Sequence, residues 1–318
     1  MNRLSILLAV LICQTLPSHG QVGNVSGIAT LTGDTLSKAK DSLIWKKGGF
    51  VNINFSQVSL SQWAPGGEGS FAISSNGMLY ANYDKGRIRW DNNINLAYAL
   101  QKTSSEGLRK TDDQIDLTSK FGYRMKPVSK WYYSTLVNFK SQFSEGYTYP
   151  DEMMVSKFLA PAYVITSIGL TYRPLDYFEV LLSPVTSRLV IVNDQQLADA
   201  GSYGVKPAVR DASGTIITPG KKLQSQFGAY LNARIRKEIM PNVTLASRLE
   251  LFNNYTDEVK ANRKNIDVNW ETGFLMKVNK LITASLIIQV VYDADVIERT
   301  QYRQVIGVGF GYKFNNTK

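Results

Sequence analysis

The sequence contains one cysteine and one histidine, Cys13 and His19, and both fall within residues 1–20. That stretch reads as a secretory signal peptide: Arg3 supplies the positive start, Leu4 to Leu16 the apolar centre, and Ser18 and Gly20 the small residues before a cut at Gln21. A chain cut there keeps neither side chain, which excludes zinc and copper sites built on imidazole or thiolate, Ser-His-Asp triads, cysteine nucleophiles and disulfides. Lipid attachment at Cys13 is disfavoured because Ile12 stands where a small residue is required. Beyond the signal there is no run of the ~20 apolar residues that a membrane helix needs. The formal charge is +10, but export makes nucleic acid an unsuitable partner and points to anionic headgroups or solutes.

What the chain does have is alternation. Hydrophobic residues make up 44% and aromatics 11%, and they recur at every second position in runs as long as the ~9–11 residues of a tilted membrane strand. Ile88, Trp90, Ile94, Leu96, Tyr98 and Leu100 oppose Arg89, Asp91, Asn93 and Asn95. In the last run, Ile306, Val308, Phe310, Tyr312 and Phe314 oppose Gly307, Gly309, Gly311 and Lys313. A face that greasy needs either a second sheet or lipid, and lipid demands that every backbone group be paired in a closed barrel.

About twelve strands are predicted, near 48–57, 70–84, 86–101, 112–125, 130–144, 160–173, 177–192, 221–237, 242–254, 264–278, 281–293 and 300–314. The expected fold is all-β: one transmembrane antiparallel up-and-down β-barrel over 46–318, preceded by a periplasmic leader over 21–45. Short turns alternate with longer loops, which puts both chain ends on the periplasmic side. Pro184 interrupts the seventh run and demands a bulge, and Asp211 to Gly214 marks a hairpin within the long loop 193–220. Trp45, Trp63, Trp90, Trp131 and Tyr172 gather near strand ends, as headgroup-level rings do.

Inward positions carry Arg87, Arg89, Lys120, Arg124, Arg234, Arg236, Arg248, Glu250, Asp267 and Glu271, with Asp91, Asp116 and Lys140 beside them. Both charge signs are present. The residues leave two readings: a salt-bridged, blocked lumen, or an anion-preferring pore. Asp267 and Glu271 stand four residues apart on one strand, roughly 13 Å at the usual rise, too far for a catalytic dyad. Asp293 and Asp295 form a further carboxylate pair with calcium-binding chemistry but no distinctive motif. No catalytic residue, metal site or cofactor is expected.

The run from Phe55 to Gly69, with Ser56-Gln57-Val58-Ser59-Leu60 followed by Gln62, Trp63, Pro65, Gly66, Gly67 and Glu68, resembles the signature of the Bacteroidetes outer-membrane proteins labelled domain of unknown function 3078. The resemblance is read as extending to Phe314. It implies a β-barrel and supplies no catalytic residues; its Trp and Gly-Gly element corresponds to Trp63, Gly66 and Gly67. The Gly309, Tyr312, Phe314 ending is similar to the signal by which bacterial barrels are recognised by the insertion machinery. The function expected is non-enzymatic: a structural or accessory subunit working with other envelope proteins, in outer-membrane biogenesis for example, with a narrow channel for small anionic solutes as the alternative and an outer-membrane hydrolase, disfavoured by the missing histidine, as the third reading.

Overall fold

The computed structural model describes residues 44–59, 68–257, 260, 262–279 and 281–316. The signal peptide, residues 21–43 of the leader, and the loop residues Gln62, Trp63, Gly66 and Gly67 lie outside them. Twelve strands make one closed antiparallel barrel. They are β1 Trp45–Val58, β2 Ser70–Lys85, β3 Ile88–Thr103, β4 Gly107–Arg124, β5 Trp131–Ser141, β6 Ala162–Leu175, β7 Phe178–Ile191, β8 Leu223–Met240, β9 Val243–Asn254, β10 Asp267–Lys277, β11 Ile282–Asp293 and β12 Ile297–Asn315. Each pairs with its sequence neighbours, and β12 returns to β1. Closure lets the backbone cross lipid without a free edge wherever the ladder is complete.

The predicted period-2 pattern explains the outer surface. Val51, Ile53, Leu79, Ile94, Leu117, Val137, Ile168, Phe227, Ile306, Val308 and Phe310 are all exposed. An apolar band of that extent is incompatible with water and fits hydrocarbon. Rings mark its limits. At the turn end Trp45 meets Tyr83 at 5.3 Å, and Trp131 meets Tyr172 at 4.6 Å between centroids; at the loop end Phe227 meets Tyr255 at 6.4 Å. The outward indoles find partners on the neighbouring strand: Trp90 Nε1 donates to Ser119 Oγ (2.8 Å) and Trp270 Nε1 to Ser247 Oγ (2.9 Å).

Connections at the turn end are short, such as Gly86 and Arg87 or Pro241 and Asn242. Those at the other end carry most of the loop structure. Three strands start earlier than the sequence pattern suggests, β1 at Trp45 rather than 48, β4 at Gly107 rather than 112 and β12 at Ile297 rather than 300, because the ladder continues past the alternating apolar run. The anticipated hairpin around Asp211–Gly214 is present as the pair Val209–Arg210 with Ile216–Thr218.

Pro184 sits at a bulge. The register against β8 skips between Gly228 and Tyr230, and that against β6 skips between Ile168 and Leu170. Ser183 Oγ fills the gap, lying 2.8 Å from the Ile168 carbonyl and 2.9 Å from the Val185 carbonyl. Gly169 permits the close approach, since a Cβ there would stand 2.1 Å from the Leu182 carbonyl oxygen. The bulge changes which residues face inward: Leu181 and Ser183 before it, Thr186, Arg188 and Val190 after it, all buried.

The glycine face of β12 is already occupied. Phe50 and Asn54 of β1 lie over it: a Cβ on Gly311 would meet Phe50 Cε2 at 2.7 Å, and one on Gly309 would meet Asn54 Oδ1 at 2.0 Å.

Candidate functional site

The lumen is filled in three layers. In the central layer Arg248 of β9 extends to Asp116 of β4 (Nη1–Oδ2 3.5 Å) and to Glu271 of β10 (Nη2–Oε2 3.6 Å). Lys140 of β5 meets Glu250 of β9 at 3.0 Å. Because β4 and β9 are five strands apart in a barrel of twelve, the Arg248–Asp116 contact crosses the interior. Neutral groups complete it: Tyr230 OH donates to Glu250 Oε1 (2.7 Å), Asn269 Nδ2 to Glu250 Oε2 (3.0 Å), and Asn138 Nδ2 to Asp116 Oδ1 (2.6 Å). Gln114 and Asp116 are 0% exposed and Glu271 1%, while the Arg248, Lys140 and Glu250 side chains keep about a tenth of their surface.

Beside the ionic layer the β5–β9 wall carries an inward apolar cluster of Leu136, Ile165, Leu181, Tyr230 and Phe252. A membrane barrel with an oily patch inside as well as outside has the packing of a soluble core at that wall. Toward the turn end a second layer forms, in which Lys120 of β4 reaches Glu179 of β7. Arg89 Nε donates to Asp91 and its Nη1 to Asp84, both at 2.9 Å, and Arg234 Nε donates to Asn232 Oδ1 at 2.8 Å.

The third layer lies at the loop end. Arg188 of β7 bonds Asp267 Oδ2 at 2.8 Å and faces Asp293 at 3.6 Å and Asp295 at 3.7 Å, while its Nε donates to Gln226 Oε1. Gln226 Nε2 in turn donates to Asp295 Oδ2 at 2.7 Å. The ligand oxygens of the three aspartates lie within 4.8 Å of one another, a spacing that a divalent cation could bridge, but Arg188 already supplies their counter-charge. Asp295, in the loop after β11, has its carboxyl raised by burial and then by the Asp293 carboxylate. A cavity of about 170 Å³ opens beneath this layer, walled by Tyr163, Tyr203, Tyr230 and Phe252, with Lys140 and Glu250 at its floor.

The loop between β7 and β8 covers this end. Its helix α1, Gln195–Asp199, is capped by Asp194, whose Oδ1 accepts from Leu197 N (3.0 Å) and whose Oδ2 meets Lys157 Nζ at 2.6 Å. The Lys157 ammonium holds the Asp194 carboxyl below its usual range. Leu197, Ala198, Tyr203 and Val205 pack on Ala160, Val190 and Val192, and Tyr203 OH donates to the Val155 carbonyl at 2.5 Å. Gly220 is required against α1, where a Cβ would stand 2.2 Å from the Ala198 carbonyl oxygen.

Of the charged residues expected in the lumen, Arg89, Lys120, Arg234, Arg248, Glu250, Asp267 and Glu271 lie in these layers. Arg87 does not. It sits in the β2–β3 turn, donating to the Arg124 and Met125 carbonyls with its guanidinium 4.5 Å over Tyr123, because the strand ends before it. Arg124 is at the turn-end rim, bonded to Tyr132 OH at 2.9 Å and to the Pro127 carbonyl at 3.2 Å. Arg236 is half-buried near the end of β8. Gly309, Tyr312 and Phe314 lie in β12, with the two rings stacked at 6.2 Å. Arg188 and Glu179 were missed, since the Pro184 bulge between them breaks the alternation that would have placed them.

Residues 55–147 match the model of the family described as protein of unknown function, DUF3078. The DUF3078 segment thus takes in the end of β1, β2 to β5 and the start of the next loop, and includes the Phe55–Gly69 run that carries the resemblance; the match stops well short of Phe314. No curated protein sequence matches the chain. Among solved structures the chain is similar to an outer-membrane channel from Pseudomonas putida, with 12% identity over 88% of this chain and 99% of that one and a TM-score of 0.41. It is similar to outer membrane phospholipase A from Escherichia coli, with 12% identity over 87% and 94% and a TM-score of 0.36. It is also similar to the channel DcaP of Acinetobacter baumannii, with 9% identity over 88% and 100% and a TM-score of 0.33.

Proposed function

We propose that this is a closed barrel of the outer membrane of a Gram-negative, Bacteroidetes-type cell, acting without catalysis as a structural or accessory subunit of an envelope complex. The observation that carries the reading is the contact from Arg248 to Asp116 across the lumen, within a layer of paired and largely buried charges. A fixed diffusion pore needs a continuous wet path, and here paired charges occupy it. What remains available is the outside: the lipid belt, the capped loops and the strand edges. After export, insertion machinery would read the β12 ending and lipid would surround the belt.

Gentle detergent extraction from native membranes, with mass spectrometry of whatever accompanies the protein at fixed stoichiometry, tests the reading. A stoichiometric companion supports it; a lone monomer sinks it. The competing anion-channel reading predicts steady conductance that falls when Arg89, Arg234 and Arg248 are neutralised.

A further inference from the structure

The barrel is closed unevenly. β1 pairs with β2 along its whole length, from Trp45↔Tyr83 to Val58↔Ser70. Against β12 it pairs only from Gly48↔Asn315 to Asn54↔Gly309. Both strands continue beyond that point: β1 runs on to Val58, and β12 is laddered to β11 as far as Asp293↔Ile297. Among the described residues, therefore, Phe55–Val58 and Val305–Val308 face each other across the seam without ladder bonds. The turn end of the same seam is fastened twice over, with Asn316 N donating to the Lys47 carbonyl (2.9 Å) and Lys47 N donating to Asn316 Oδ1 (2.8 Å).

The open part lies within the belt. Register places Tyr302 level with Val290 and Trp270, the loop-end rings, while Tyr312 and Phe314 mark the turn end. Val305–Val308 falls between them, and Ile306 is 70% and Val308 60% exposed. Hydrocarbon tails offer nothing to a bare N–H or C=O, so a partner there must itself carry a backbone ladder. Side-chain chemistry narrows it further. Phe55, Ile306 and Val308 point to lipid, and on the lumen side a Cβ at Gly307 would find its nearest neighbour, Ser285 Oγ, no closer than 3.5 Å.

We infer that the half-unzipped β1/β12 seam is a docking site for an extended strand of a partner polypeptide, apolar at alternate positions toward lipid and polar or small toward the lumen. The strand adds its ladder to the free edges of Phe55–Val58 and Val305–Val308, a stretch of roughly 13 Å at the usual rise. This rests on the accessory-subunit reading and names where the companion binds.

The test uses the full chain with Ser56→Cys and Gly307→Cys, positions that the β1/β12 register would bring opposite each other. The sequence's one cysteine, Cys13, lies in the predicted signal, so these thiols report alone. Strand docking and the disulfide are expected to exclude each other: the cross-link forms readily in the purified barrel, at least tenfold more slowly in the extracted complex, and once formed it removes the companion until reduced. Photoreactive residues at Phe55 and Val308 should map to one alternating stretch of the companion. A companion retained by the oxidised seam, or adducts to lipid alone while a companion still co-purifies, overturns the docking site and leaves the accessory reading standing. No companion under either redox condition overturns both.

Discussion

The β5–β9 wall and the β12–β1 seam belong to one barrel and are built on opposite terms. The wall is double-sided: lipid-facing apolar residues outside, and inside a cluster of Leu136, Ile165, Leu181, Tyr230 and Phe252 beside the Lys140–Glu250 pair. The seam has glycines inside, Phe50 and Asn54 laid over them, and a ladder that stops at Asn54↔Gly309. A residue buried among partners on all sides holds its strand in register through its own side chain, whereas a glycine does so only through what is laid over it. Stability is thus concentrated away from the place where the chain closes.

The largest break in that comparison is expected at Glu250. Its carboxylate takes Lys140, Tyr230, Asn232 and Asn269, so Glu250→Ala leaves a buried ammonium uncompensated, at a cost of about 3–5 kcal/mol. Urea unfolding from lipid vesicles should show it, with Glu250→Gln milder. A loss under 1 kcal/mol would mean the wall is wetter than described.

Next come the close approaches. Gly228→Val places a side chain where even a Cβ would be 1.9 Å from the Asn253 carbonyl oxygen, and overpacking of that kind costs about 1–3 kcal/mol. Gly77→Ala, with nothing within 4 Å, should be nearly neutral in the same assay. Equal effects would remove the distinction between packed and open glycines.

Asn316→Ala removes the side-chain half of the fastening at the turn end of the seam, the bond from Lys47 N to Oδ1 at 2.8 Å and the Nδ2 bond to the Trp45 carbonyl at 3.0 Å, and keeps the main-chain bond from Asn316 N to the Lys47 carbonyl. A loss of about 1 kcal/mol is expected, read as faster amide exchange at Lys46–Gly49 with β7 and β8 unchanged. Spread of the effect to the wall would show that the two regions unfold as one.

The smallest effect is on the cap. Asp194 has a carboxyl held low in the folded state, so its contribution is full above the ordinary carboxylate range and disappears as pH falls through the depressed folded value. Protection of the α1 amides, taken relative to their slower intrinsic exchange in acid, should fall. Asp194→Asn should show the faster exchange already at neutral pH.

Alternation made the barrel legible: Ile88 to Leu100 and Ile306 to Phe314 each display an outer face, and the turn spacing orders the strands. The central layer was legible only as a set of inward charges. Which charges meet depends on side chains from β4, β5, β9 and β10 reaching across the lumen, and strand periodicity carries no information about that. Arg188 was hidden by the proline bulge, and Arg87 was placed inside because a turn residue shares the parity of the strand that follows it. Nothing in the β12 sequence distinguishes Gly309, paired to both neighbouring strands, from Gly307, paired to β11 and not to β1; that difference is one of register between the first and last strands.

Conductance across a planar bilayer tests the central claim, that paired charges close the lumen. The wild-type barrel should insert and stay silent under applied voltage, and Arg248→Ala combined with Asp116→Ala, which empties the central contact without leaving a lone charge of that pair, should produce steps. Steady wild-type conductance would contradict the closed lumen outright.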